Sequence, residues 1–151
     1  REQQPLPQFG SMIMLDDREL KRSLVYMEGY GNRFKQRELD GQKIKKSLSK
    51  YEKQKLNQHL VGQAEYIFSF FNAPKKDGKE YYGEISILLN ANGDISHVTM
   101  KTPSGNQQLD AAVYKTILMA QRLSLPSEPL IRKAMVTSPL TLNYSQDDMS
   151  D

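Results

Sequence analysis

From residue 81 the chain alternates between apolar and polar positions. Tyr81, Gly83, Ile85, Ile87 and Leu89 alternate with Tyr82, Glu84, Ser86, Leu88 and Asn90, which is strand periodicity with one apolar face. Asn92-Gly93 offers the left-handed positions of a tight hairpin. The return strand covers residues 94–102 with Ile95, Val98 and Met100 as its apolar positions. The step of three between Ile95 and Val98 predicts one extra residue, a bulge, near Ser96-His97. Pro103-Ser104-Gly105 is a turn, and Asn106 is an N-cap. Leu109, Ala112, Val113, Ile117 and Ala120 mark the buried face of a helix ending near Leu123. Residues 125–129 read as extended. Val136, Leu140, Leu142 and Tyr144 predict a last strand, and Pro139 near its start makes it an edge strand, because proline cannot donate into a central ladder.

Upstream, the period changes to that of a helix. Ile44, Leu48, Tyr51, Leu56, Leu60, Ala64, Ile67, Phe68 and Phe71 form one stripe of a long amphipathic helix ending before Pro74. Its Lys-rich start is expected to project away from the sheet. A shorter helix carrying Leu20, Leu24 and Met27 precedes it, stopped by Gly29-Tyr30-Gly31-Asn32. Residues 75–79 are a turn, and residues 145–151 read as a disordered acidic tail. The expected fold is α+β. A three-stranded antiparallel sheet in the order second, first, third is covered on one face by two helices and preceded by an extended helical segment. The expected division is a linker end at residues 1–15, a basic helical segment at 16–60, the sheet domain at 61–145 and the tail at 146–151.

Charge sharpens this division. Residues 1–79 hold 16 Lys+Arg against 10 Asp+Glu, and residues 80–151 hold 5 against 8. Lys43, Lys45, Lys46, Lys50, Lys53 and Lys55 lie within thirteen residues, opposed only by Glu52. Such a run can meet an acidic protein, nucleic acid or an anionic lipid surface. The plainer reading is a solvated helix face. Lysine in place of arginine, with the aromatics on the apolar side, favours that reading and makes nucleic acid the weaker partner.

Catalytic chemistry finds little purchase. The chain has no cysteine, and its two histidines, His59 and His97, are far apart in sequence, so no metal or cofactor site is expected. No nucleophile elbow, phosphate loop or dinucleotide fingerprint occurs, and the expected role is non-enzymatic. Asn143-Tyr144-Ser145 matches a glycosylation acceptor, a tripeptide common by chance. What remains is the last strand. An open edge carries unpaired backbone N–H and C=O groups that an extended peptide can complete, or that can pair with a second copy to give a homodimer.

The motifs, in order, resemble a known family. Asn92-Gly93-Asp94-Ile95, then Val98 and Met100, then Pro103-Ser104-Gly105, is similar to the hairpin run of TonB and TolA C-terminal domains. Leu109-Asp110-Ala111-Ala112 resembles the family's L-D-x-A-A helix opening, and residues 120–126 and 139–144 resemble its ending. The long helix before the hairpin, without a Tyr-Pro pair, is nearer to TolA-like members. The resemblance implies a periplasmic domain of an envelope-spanning energy transducer. It would be anchored to the inner membrane through a segment preceding Arg1 and coupled there to motor proteins driven by the proton gradient. It implies transport-linked binding of an outer-membrane receptor or envelope partner, whose extended segment adds to the last strand at Leu140, Thr141, Leu142, Asn143 and Tyr144. An adaptor or oligomerisation module working through the basic helix is the alternative.

Overall fold

The computed structural model describes residues 31–151. The expected linker end and the helix carrying Leu20, Leu24 and Met27 lie outside the described residues. The elements are α1 (Gly31–Lys46), α2 (Lys50–Phe68), β1 (Tyr82–Leu89), β2 (Ile95–Thr102), α3 (Gln107–Ala120), α4 (Pro129–Thr137) and β3 (Leu140–Ser145), closed by a short 3-10 turn (Gln146–Asp148). The sheet is antiparallel in the expected order β2-β1-β3.

The expected bulge is present. Leu88 pairs with His97 and Leu89 with Ile95, which leaves Ser96 as the extra residue. Ile95, Val98 and Met100 are therefore all buried. The hairpin turn differs from the expected one. Only Gly93 of the Asn92-Gly93 pair is left-handed (φ 91°), and both Gly93 N–H to Asn90 O and Asn90 N–H to Asp94 O are made. This is a three-residue loop with a glycine bulge rather than a two-residue turn.

Core residues Ile85, Ile87, Leu89, Ile95, Val98 and Leu142 share one buried cluster with residues of α2, α3 and α4 on one face of the sheet. Asn106 caps α3, accepting from the Leu109 N–H at 3.0 Å. Gln121, at φ 67°, ends it slightly earlier than expected. Two further departures concern helices. Val136 belongs to α4 rather than to the last strand; Pro129 opens that helix and Ile131, Ala134 and Met135 bury one side of it. The stripe over residues 44–71 is two helices rather than one. Ser49 accepts from the Glu52 N–H, and the Glu52 carboxylate accepts from the Ser49 N–H, a capping box that starts α2 afresh.

α1 is the largest correction. The chain is helical through Gly41, although helical periodicity resumes only after that glycine in the sequence. The helix does not project away. It packs on α4, with Gly41 so close to Ser138 that an added Cβ would lie 2.5 Å from the serine Cβ. It also reaches the second face of the sheet. Glu38 pairs with Lys101 at 3.6 Å, and Arg33 donates to the His97 ring. Phe34 is buried, as are Leu88, Ser86 and Thr99 on that second face. The carboxy-terminal residues are ordered too. Met149 is 6 % exposed in the core, and Ser150 exchanges backbone bonds with Pro74 and Lys76. An apolar anchor inside an otherwise polar segment holds it down.

Candidate functional site: the free edge of β3

β3 pairs with β1 on one side, and among the described residues no strand pairs with its other side. The register decides which groups that edge presents. Gln146 N–H donates to Tyr81 O, immediately beyond the Tyr82–Ser145 pair. In an antiparallel ladder the inward-pointing residues alternate, so Tyr144, Leu142 and Leu140 direct their backbone groups at β1. Thr141 and Asn143 direct theirs outward, and their side chains are exposed. Ser145, the next outward residue, has its N–H taken by Asp148 Oδ2 at 2.9 Å. Pro139, the preceding one, has no N–H. The edge thus offers two free donors, those of Thr141 and Asn143.

The five residues singled out from the sequence therefore divide into two sets. Leu142 and Tyr144 are buried and Leu140 is half-buried, all on the core face. Tyr144 lies flat over Gly83, where a Cβ would sit 2.5 Å from the ring Cζ. Its hydroxyl donates to Asp110 Oδ1 at 2.6 Å, and burial together with that carboxylate raises its pKa above the usual phenol range. Asp110 also accepts from the Ser104 N–H. These contacts hold β3 in register, while the Thr141 and Asn143 side chains stay exposed.

The six lysines are divided between two helices. Lys43, Lys45 and Lys46 end α1, whereas Lys50, Lys53 and Lys55 lie on α2, beyond the break at Ser47–Ser49. All six are exposed, and Lys55 Nζ stands 5.6 Å from the Tyr51 ring centre. The histidines serve local structure. His59 meets the Ser124 carbonyl. His97 Nε2 accepts from Arg33, which can only donate, so the ring proton lies on Nδ1 and faces Ser96 Oγ at 3.1 Å. Ser96 in turn donates to Leu88 O. Burial, then Arg33 and Arg37, lower the His97 pKa to about 4, so the ring is neutral at pH 7. Among the described residues no three His, Asp or Glu side chains converge as a metal ion would need.

Sequence reasoning missed Arg37. Its guanidinium donates to the carbonyls of Val136, Thr137 and Leu89, so it caps the end of α4 two residues before the edge strand. No motif announces it, because its partners are backbone groups 52 to 100 residues away in sequence.

A family model described as TonB C terminal matches residues 53–138, more than half of the chain. The chain belongs to the TonB C-terminal family. The matched segment starts within α2 and stops just before β3, so α1 and the edge strand flank it. Comparison with curated proteins and with solved structures gives no match. Domains of the TonB C-terminal family serve envelope energy transduction by binding rather than catalysis, and they interact with outer-membrane receptors. No helix among the described residues is long and apolar enough to cross a membrane.

Proposed function

We propose that this TonB C-terminal domain binds an extended segment of an outer-membrane receptor or envelope partner by strand addition at Thr141 and Asn143, and passes force derived from the proton gradient to it. The observation that carries the reading is the outward pair of backbone groups on β3, bounded by Pro139 and the capped Ser145. Backbone bonds arranged along a strand load together in shear, which suits a mechanical link with modest sequence demands. In this reading the domain works in the periplasm, tethered to the inner membrane through a preceding segment and driven by motor proteins there. Tyr144 and Asp110 serve as the clasp that keeps β3 in place under load.

Proline at Thr141 or Asn143 tests the site. Each replaces an outward N–H and leaves the inward bonds to β1 in place. Binding of receptor-derived peptides should weaken by about tenfold, for loss of one bond together with its local geometry. Unchanged affinity in a folded proline variant contradicts the edge assignment. Binding that instead falls steeply with salt and with Lys45, Lys46 and Lys50 replaced by Gln would transfer the function to the basic helices.

A further inference from the structure

Beside the free edge, on the core face of the sheet, a cavity of about 230 Å³ opens between α2 and the start of β3. Leu56, Leu60 and Ala64 of α2 line one side, and Leu140 and Leu142 of β3 line the other. Leu60, Ala64 and Leu140 are half-buried, so this apolar lining still meets solvent. Lys45, at the end of α1, also lines the cavity, as do Pro139 and Leu140. It is exposed and forms no ion pair with a described residue.

We propose that this groove reads the side chains of the segment that β3 captures. It takes one large aliphatic or aromatic residue, with a carboxylate two positions away on the same face meeting Lys45. The inference rests on the strand-addition reading and deepens it. Two free N–H groups give an added strand little affinity by themselves, since each backbone bond exchanges for one to water, contributes little net and carries no sequence preference. Residues directly opposite across neighbouring strands share a face. A residue of the added strand opposite Leu140 or Leu142 therefore projects on the core face, where α2 stands beside it. The groove continues the free edge, which is what assigns it to an extended peptide.

Size supports the same occupant. The cavity lies below the roughly 300–1,000 Å³ of small-molecule pockets and is open, which suits a single side chain better than a free ligand. The next residue along the peptide would lie on the other face, beside exposed Thr141 and Asn143, and would be polar. Lys45 supplies the charge complement. It comes from α1, outside the segment that the family model matches, so this part of the selectivity belongs to the chain's own additional helix.

The test is a positional-scanning library of capped heptapeptides, read by fluorescence polarisation against the full chain and three variants. The unmodified chain should prefer a large apolar residue at one position by about tenfold or more over Ala. It should prefer Asp or Glu two positions away by a few fold, the size of an exposed ion pair. Ala64→Trp, which fills the groove, should abolish the apolar preference while leaving residual binding. Lys45→Glu, at an exposed site that leaves the fold intact, should exchange the acidic preference for a basic one. Thr141→Pro should weaken binding of every peptide by about tenfold. Preferences unchanged in both Ala64→Trp and Lys45→Glu, with binding still weakened in Thr141→Pro, overturn the groove and spare the edge. No binding by the unmodified chain overturns the edge reading and the groove with it. A concentration-dependent dimer dispersed by Ala64→Trp, with no peptide preference, gives the groove to a second copy and also overturns the proposal.

Discussion

The Tyr144 hydroxyl donates to Asp110 Oδ1 across 2.6 Å of the core and ties the last strand to the first turn of α3. The same ring occupies the space that a side chain on Gly83 would take. Besides the ladder to β1, Tyr144 therefore holds the edge strand by one polar contact and one steric fit. Tyr144→Phe should cost about 1.5–3 kcal/mol, the worth of a hydrogen bond to a charged group, seen as a lower urea midpoint. Gly83→Ala should cost about 1–3 kcal/mol from overpacking, and clearly less in a Tyr144→Leu background. Additive costs in the double variant would mean that the ring does not set the need for glycine.

Arg37 connects α1 to the end of α4. Arg37→Met keeps the length of the side chain but removes its bonds to Val136, Thr137 and Leu89, at a cost of about 1.5–3 kcal/mol. The loss should be local. Amide exchange should quicken over Gly31–Lys46 while β1 and β2 keep their protection. Equal loss of protection throughout would show that α1 does not open separately from the sheet.

The Arg33–His97–Ser96–Leu88 chain predicts a pH dependence. The folded ring takes up a proton only near pH 4, whereas an unfolded histidine does so near 6.5. Between these values the unfolded state holds more protons, so stability rises with pH across the window. His97 should thus lower stability as pH falls from 6.5 toward 4 and have no such effect above 6.5. Urea midpoints of the unmodified chain and of His97→Gln should diverge across that interval. Parallel curves would contradict the neutral ring.

Much of this fold was legible because its signals are short-range. Strict alternation gave β1, the step from Ile95 to Val98 gave the bulge, and Asn106 gave the start of α3. The break at Ser49 was also present, as Ser-x-x-Glu, but the apolar stripe running through it was the stronger pattern. α4 was signalled by Pro129 and by apolar spacing at Ile131, Ala134 and Met135, in a stretch too short to outweigh the β-branched residues after it. α1 carries too few apolar residues to show a face. It is held by Arg33, Arg37 and Glu38 and by the close approach at Gly41, all of which depend on tertiary partners. The candidate edge could be named as a strand, but its outward pair could not. That depends on the phase fixed by Gln146 and Tyr81.

The most direct measurement of the central claim is amide chemical-shift mapping of the chain titrated with extended peptides from outer-membrane receptors. The account predicts the largest shifts at Thr141 and Asn143, with slowed exchange of those two amides as they gain partners. Shifts confined to residues 43–55, with Thr141 and Asn143 unmoved, would contradict it.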